Sequence, residues 1–436
     1  MPVSLLLHRG CSSFRWPTRW FALAVILILS PAAAFAAGIP FNDAVQLAVE
    51  RAPLLGARQA QIIATQEEAV RAAALPDPTL SLGLSNWPVS GADAYSLHRD
   101  DMTMKQIGIS QEFPARAKRQ ARQAVADRGV EQAQALSLAE RLAVQRGAAA
   151  AWIELWAAQR QWEALQALKE PINLATRAAK ARLAGGNGSV SDTLATQATA
   201  LELDNTLDAA NGAVQAARAG LARWLGDDPG ALDASGEPPA LSTLPADPAR
   251  LLASIDQQGA MLPWRARQAS AEAQVDAAIA DKRLDWRLGL GYGQRERMPN
   301  GMPRSDMLSL EVSVNLPLFP RDRQDRGVAA RRAELDAVSA EREDARHQQL
   351  EGVRRALADW QGMKLQVDRK ESQSLPLAHD RTRIALAAYA AGGELQPWLQ
   401  ARRDEVELHV EHARHLAELG RAWAVLAYLL PEERAQ

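Results

Sequence analysis

The chain has 436 residues and is close to neutral, with a formal net charge of −2 and a pI of about 6.4. This balance provides no basic surface of the kind that nucleic-acid binding requires, so we expect no nucleic-acid partner. The only cysteine is Cys11. A mature chain without it has no disulfide, no thiolate metal site and no cysteine nucleophile.

Residues 1–36 have the features of an export signal. Three arginines precede a short apolar run, and Ala34-Phe35-Ala36 fits the small-x-small cleavage rule. The apolar run is well short of the roughly twenty residues that a membrane-spanning helix needs. We therefore predict a signal peptide over 1–36 and a mature chain that begins after it.

The pattern of residues 37–226 predicts a helix, two strands, a long helix, a tight turn and a final helix. The strands are predicted over 78–86 and 103–113, and the helices over 41–75, 115–183 and 190–225. The long helix carries one proline, Pro171. A helix of about seventy residues would reach roughly 105 Å, which is unusual in a compact domain.

The same order recurs in residues 247–436, after a linker rich in Pro, Gly and Asp over 227–246. Four landmark pairs recur at spacings of 205 to 208 residues: Asp77 and Asp285, Phe113 and Phe319, Pro171 and Pro376, Gly185 and Gly392. The second pair of strands is predicted over 285–294 and 307–319. The chain is thus a tandem duplication. Stacking the shorter helices end to end along the long ones places the linker in a belt at mid-height, with all strands at one end.

The four strands alternate between apolar and small or polar residues. In the first, Leu80, Leu82 and Leu84 alternate with serine and glycine, a pattern typical of membrane β-barrel strands. An ordinary sheet with one face on a core alternates in the same way, but no amphipathic partner follows that could cover it. Aromatic residues lie near the strand ends, as in an interfacial girdle: Trp87, Phe113, Tyr292 and Phe319.

Four strands cannot close a barrel, for which about eight is the minimum. A sheet in lipid must close because open edges leave backbone groups without partners. Several chains must therefore share one barrel, and three chains would give twelve strands.

No catalytic or cofactor motif is evident. The sequence contains no phosphate loop, no Gly-x-Ser-x-Gly elbow and no His-Glu-x-x-His. Gly289, Gly291 and Gly293 resemble part of a dinucleotide fingerprint, but they lie inside a strand and are better explained as small residues facing a lumen. We therefore expect a protein that is not an enzyme and has no cofactor.

Two residue sets are candidate metal ligands. His409, His412 and His415 step along the last helix, and a solvated or lumen-facing stripe explains them better than a metal site, which would need a further ligand. Thioethers suit soft ions such as Cu(I), but ordinary loop methionines are the simpler interpretation of the five near the strand–strand intervals: Met102, Met104, Met298, Met302 and Met307. We predict no metal site.

Together these features resemble the outer membrane efflux protein family (TolC-like outer membrane factors) over essentially the whole mature chain. The local similarities are Leu75-Pro76-Asp77-Pro78 before the first strand, Gln111-Glu112-Phe113-Pro114 at the exit of the second strand, and Arg182-Leu183-Ala184-Gly185-Gly186 at the turn. The short length and the ending Leu426-Ala427-Tyr428-Leu429-Leu430-Pro431 resemble the branch that serves heavy-metal pumps.

The resemblance implies a mainly α fold with a small β part. A homotrimer would form a twelve-stranded barrel in the outer membrane lipid, continued by a helical tunnel in the periplasm. Its partners would be a periplasmic membrane fusion (adaptor) protein and an inner-membrane RND-type pump. The adaptor would dock on the helical tips at Gly185, Gly186, Gly188, Gly392 and Gly393.

The resemblance also aligns Asp192 and Tyr389 with a polar pair that holds the periplasmic aperture closed. The family's acidic ring would fall at Trp398 and Ala401, which are not acidic. The implied function is a passive duct, exporting heavy-metal cations. The alternatives are a channel for drug efflux or type I secretion, and a periplasmic coiled-coil adaptor or scaffold, which would need no lipid-compatible strands.

Overall fold

The computed structural model describes residues 38–226 and 232–431. The predicted signal peptide lies outside the described residues. The described part is mainly helical, with a single four-stranded antiparallel sheet within it. The predicted fold class, mainly α with a small β part, is confirmed.

The first half follows the predicted order of elements. Its helices and strands are α1 (Phe41–Arg51), α2 (Pro53–Ala73), β1 (Thr79–Ser85), β2 (Met104–Phe113), α3 (Arg116–Ala167), α4 (Lys169–Ala184) and α5 (Val190–Leu225). Ser189 caps α5, because its hydroxyl oxygen accepts a hydrogen bond from the Ser191 amide at 3.1 Å.

The second half repeats this order with additional short turns. It contains α6 (Pro248–Ala253), a 3₁₀ turn at Ile255–Gln257, α7 (Leu262–Ala280), β3 (Trp286–Arg295), β4 (Met307–Val314), α8 (Gln324–Arg369), a π-helical turn at Lys370–Ser374, α9 (Leu375–Ala390) and α10 (Gln396–Ala427).

The main differences from the predicted bounds of the helices and strands occur at prolines. The helix predicted over 41–75 is two helices, because Ala52 is extended (φ −63°, ψ 111°) where it precedes Pro53. The last strand was predicted to reach residue 319 but ends at Val314, since Pro317 cannot donate a hydrogen bond to a ladder.

Prolines also interrupt both long helices without ending them. Pro171 has no N–H for the carbonyl of Ala167, the residue at which α3 ends. Pro376 likewise leaves the carbonyl of Ser372 without its usual donor, and the chain passes this point in the π-helical turn between α8 and α9.

The segments 38–40 and 232–247, here called the belt, cross the helices and are fixed by hydrogen bonds. The Ile39 amide donates to the Asp233 carbonyl at 2.7 Å, and Ile39 pairs with Ala234 in a parallel bridge. Three buried or half-buried indoles donate to belt carbonyls at 2.7 to 2.9 Å: Trp152 to Ile39, Trp360 to Leu241 and Trp423 to Thr243. Each indole thus satisfies its polar N–H inside an apolar environment.

The larger hydrophobic core surrounds the belt. Phe41 packs edge-on against Trp152 at 5.4 Å and Trp423 at 5.9 Å between ring centroids. A smaller core lies nearer the α4–α5 and α9–α10 turns and contains Leu165, Ile172, Leu203, Tyr389 and Trp398. This second core positions the ends of four helices around those turns.

Candidate functional site

The strand register sorts the four strands into two chemically different faces. The strands are ordered β1-β2-β3-β4, and every neighbouring pair is antiparallel. Two rows of paired residues are apolar: Leu80, Ile109, Leu290 and Leu310 form one, and Leu82, Ile107, Tyr292 and Leu308 the other. The row between them is Ser81, Gly108, Gly291 and Ser309. One face is therefore apolar and the other small and polar, as predicted.

The described residues leave both faces of the sheet uncovered by any other element. On the apolar face Leu82 is 73% exposed and Leu308 is 74% exposed, values far above those of core leucines. Every residue of β4 is exposed. The outer edges of β1 and β4 have no partner strand among the described residues, so each carries unpaired backbone donors and acceptors.

The polar face is lined by small side chains and a few charges. Gly289, Gly291 and Gly293 all lie on it, opposite Glu311, Ser309 and Met307 of β4. Their place inside β3 is incompatible with a dinucleotide-binding loop. Glu112 and Arg287 form an ion pair of 3.7 Å on the same face.

The two helical tips, at the α4–α5 and α9–α10 turns, share one hydrogen-bonding pattern. At the first, the Asn187 amide donates to the Arg182 carbonyl and the Gly186 amide to the Leu183 carbonyl. At the second, the donors are Gly393 and Gly392, and the acceptors Ala388 and Tyr389. This is the Schellman motif, which needs a left-handed residue. Gly186 (φ 75°) and Gly392 (φ 102°) supply it.

The other three tip glycines, Gly185, Gly188 and Gly393, do not adopt a positive φ. Gly185 has φ −79°, and the corresponding position of the second tip is Ala391 at φ −78°. Gly188 and Gly393 instead permit close backbone approach. A Cβ at Gly188 would lie 2.6 Å from the Leu183 nitrogen, and one at Gly393 would lie 2.9 Å from the Ala388 oxygen.

Tyr389 is buried at the end of α9, and its nearest charged partner is Arg182. The guanidinium carbon lies 4.8 Å from the ring centroid, and Nη1 donates to the Tyr389 carbonyl at 3.0 Å. Burial raises the pKa of the Tyr389 hydroxyl and the Asp192 carboxylate raises it further, while Arg182 opposes them. Among the described residues no hydrogen bond joins the Asp192 and Tyr389 side chains.

Sequence reasoning missed Arg182 and a buried ion pair one turn beyond the expected acidic ring. Trp398 and Ala401, at the ring positions, are both buried. Arg402 and Glu405 are buried too, 2.8 Å apart, although their i,i+3 spacing was visible in the sequence. Burial lowers the pKa of Arg402, and the Glu405 carboxylate opposes that shift. Glu405 also lies 3.2 Å from His379 Nδ1.

Two of the three histidines of α10, His412 and His415, lie near charged residues of the π-helical turn that precedes α9. His412 Nε2 lies 3.1 Å from a Glu371 carboxylate oxygen. His415 Nδ1 is buried without a hydrogen-bond partner, and burial, followed by Lys370, lowers its pKa. Within 38–226 and 232–431, no group of three or more His, Asp or Glu side chains could hold a metal ion.

The methionines considered as soft ligands lie at the loop end of the sheet. Met102, Met302 and Met307 are exposed, and the Met298 amide donates to the Met302 carbonyl at 3.0 Å. Met104 lies against Gly293. None of the described helices is long and apolar enough to serve as a membrane span.

Residues 44–227 match the family described as Outer membrane efflux protein. No match was found among curated protein sequences.

Solved structures match over most of the chain. The outer-membrane channel OprN has 18% identity and a TM-score of 0.71, and 89% of each chain is covered. VceC, an outer membrane protein of Vibrio cholerae, has 21% identity and a TM-score of 0.66, covering 88% of this chain and 96% of its own. CusC, whose structures concern transmembrane channel formation, has 14% identity and a TM-score of 0.72. The match covers 90% of this chain and 92% of the CusC chain. Residues 44–227 thus match the outer membrane efflux protein family, and the described chain has the fold of outer-membrane channels.

Proposed function

We propose that this chain is the outer-membrane channel of a tripartite efflux system, a passive duct that extends into the periplasm. The observation that carries the proposal is the uncovered sheet. One face carries exposed apolar rows, the other carries rows of small and polar residues, and both outer edges are open. In lipid these edges must be paired.

Three copies complete the structure. Each copy contributes four strands, so a homotrimer closes a barrel of twelve, with apolar rows toward lipid and small polar rows toward the lumen. The helices continue the duct below the barrel. A periplasmic coiled-coil adaptor is the weaker alternative, because an adaptor needs no lipid-compatible strands and would expose this apolar sheet face to water.

The tips are the surface for the periplasmic adaptor, which links the channel to an inner-membrane RND-type pump. Gly186 and Gly392 lie at exposed turns of the same geometry, so an adaptor helix pair could engage both tips of each chain alike. Asp192 and Tyr389 lie beside these tips and form part of the closed aperture. The position of Asp192 in the first turn of α5 and of Tyr389 at the end of α9, where Arg182 donates to the Tyr389 carbonyl, supports this role.

The cargo that we propose is heavy-metal cations. This rests on the resemblance of the ending over 426–431 to the heavy-metal branch. Leu426 and Leu429 pack in the belt core, so the ending itself does not line the duct, and the pump selects the cargo. Export of drugs or of polypeptides by a related system is the alternative.

The test is native mass measurement of the detergent-extracted protein, followed by planar-bilayer recording. A trimer that conducts ions supports the proposal, and a folded monomer without conductance contradicts it. For the aperture, the double variant Asp192→Ala with Tyr389→Phe should conduct more than the parent at unchanged trimer mass. Unchanged conductance would leave Asp192 as a first-turn acid favoured by the helix dipole and Tyr389 as a packing residue.

A further inference from the structure

The two loops at the end of the sheet away from the helices are joined to each other. They are the β1–β2 loop, 86–103, and the β3–β4 loop, 296–306. The first is closed at its base, because the Thr103 hydroxyl donates to the Asn86 carbonyl at 3.0 Å and Asn86 Nδ2 donates to the Met102 carbonyl at 3.3 Å. The carbonyl oxygens of residues 98–101, near that base, accept hydrogen bonds from the second repeat.

Arg304 of the β3–β4 loop supplies most of these bonds. Nη2 donates to the Asp101 carboxylate at 2.5 Å. The Arg304 side chain is 4% exposed, although most residues of both loops are exposed. The two terminal nitrogens donate to four backbone carbonyls at 2.9 to 3.5 Å: His98, Arg99, Asp100 and Glu296. The β1–β2 loop is therefore folded around a guanidinium group from the other repeat.

Arginine suits this position because its planar group has five N–H donors in fixed directions, whereas lysine has three. Arg295, the last residue of β3, extends the contact. Its Nη1 donates to the Asp101 carbonyl at 3.3 Å and its Nε donates to the Ser305 carbonyl at 2.9 Å. If the β1–β2 loop moved alone, these acceptors would lose their donors together and a largely buried cation would lose its partners. The two loops are therefore held as one unit.

We propose that Arg304 holds the outer mouth of the duct in one conformation, so that these loops do not gate it. The inference rests on the proposed function, which places the loop end of the sheet outside the membrane. A connection as long as 86–103 is ordinarily among the more mobile parts of a fold, and the Arg304 contacts remove that freedom. Opening and closing then belong to the other end of the duct, at the α4–α5 and α9–α10 tips.

Limited digestion with chymotrypsin tests whether Arg304 fixes the β1–β2 loop. The protease cleaves after aromatic residues where the backbone opens locally, and Tyr95 is exposed in this loop. Arg304→Gln should be cleaved after Tyr95 at least about tenfold faster than the parent, because several hydrogen bonds to a charged group are lost.

Arg297→Gln is the matched control. Arg297 is exposed in the same loop as Arg304 and forms no ion pair or side-chain hydrogen bond within the described part of the chain. This variant should be cleaved after Tyr95 at the parental rate.

Two milder variants keep the test decisive if Arg304→Gln does not fold. Arg304→Lys keeps the charge but has fewer donors, so its rate of cleavage after Tyr95 should lie between those of the parent and Arg304→Gln. Asp101→Ala removes the carboxylate partner, and because the Asp101 side chain is 76% exposed, it creates no buried space. It should also raise the rate. Parental rates in these variants overturn the inference.

Planar-bilayer recording tests the role at the mouth. Current transitions should be more frequent in Arg304→Gln than in the parent, because the freed loop moves across the mouth, and Arg297→Gln should match the parent. Faster cleavage of Arg304→Gln with a parental frequency of transitions overturns the inference and leaves the proposed function intact. A parent protein that conducts no ions overturns both.

Discussion

Arg182, at the end of α4, braces Tyr389, at the end of α9. Its guanidinium lies over the tyrosine ring, and its Nη1 donates to the same carbonyl oxygen that accepts the Gly392 amide of the second tip turn. A single side chain of the first repeat therefore holds both the buried ring and the turn of the second. This contact couples the two tips of one chain.

Arg182→Ala should loosen the aperture. It removes a cation–π contact worth about 0.5–2 kcal/mol and a hydrogen bond to the carbonyl that stabilises the second turn. Single-channel conductance should rise, while the native mass stays that of the parent assembly. Arg177→Ala is the matched control, since Arg177 is exposed and pairs with Glu170 of its own helix. Equal conductance in the two variants would contradict the bracing role.

Substitutions at the tip glycines should separate by backbone conformation. Gly186→Val and Gly392→Val force a β-branched residue into the left-handed region, at a cost of at least about 1–2 kcal/mol each. Gly185→Ala should be silent, because Ala391 already has the same φ at the corresponding position.

The measurement is binding of the adaptor to the extracted channel. Adaptor affinity should fall in both valine variants and remain unchanged in Gly185→Ala. Parental affinity in Gly186→Val and Gly392→Val would place the docking surface elsewhere.

The tandem repeat and the alternation of apolar with small or polar residues were enough to predict the order of elements and the two faces of the sheet. Both are local regularities: a residue such as Leu82 faces the same way as Leu80 wherever the strand lies. Helix interruptions at Ala52 and Leu168 follow from neighbouring prolines, and the rule for the residue before proline could have located the first.

The contacts at the tips could not be predicted in this way. Arg182 and Tyr389 are 207 residues apart in the sequence. The repeat predicts that both lie near the helical tips, but it does not predict which side chains are in contact. Arg402 and Glu405 have the same spacing as the exposed pair Arg128 and Glu131. The packing around α10 buries the Arg402–Glu405 pair, whereas Arg128 and Glu131 remain exposed on α3.

The two faces of β4 should respond differently to a cation. Val312→Arg places the charge on the apolar face, in the row of Leu288, and should cost about 2–4 kcal/mol if that face meets lipid. Ser313→Arg, one residue further and opposite Arg287 on the polar face, should be much better tolerated. Membrane insertion of each variant is measured by outer-membrane yield. Equal yields would show that the face assignment is wrong.

Stability should fall as the pH drops through the range where histidine titrates, and His409 should account for part of the loss. Burial lowers the pKa of His409, and His412, Arg402 and His379 lower it further, while Glu405 opposes them. The unfolded chain, with a histidine pKa of about 6.5, therefore binds the proton more readily than the folded chain. The stabilisation is fully present above about pH 6.5 and is lost as the pH falls toward the folded pKa.

His409→Asn removes this titration and should flatten the pH dependence of the helix-melting temperature between about pH 7.5 and 5.5. His347→Asn is the matched control, because its side chain is exposed on α8 beside Glu343. Since burial also lowers the pKa of His415, the double variant with His415→Asn should be flatter still. If His409→Asn and His347→Asn change the dependence equally, burial of His409 is not its cause, and the acid sensitivity has to come from carboxylates elsewhere in the chain.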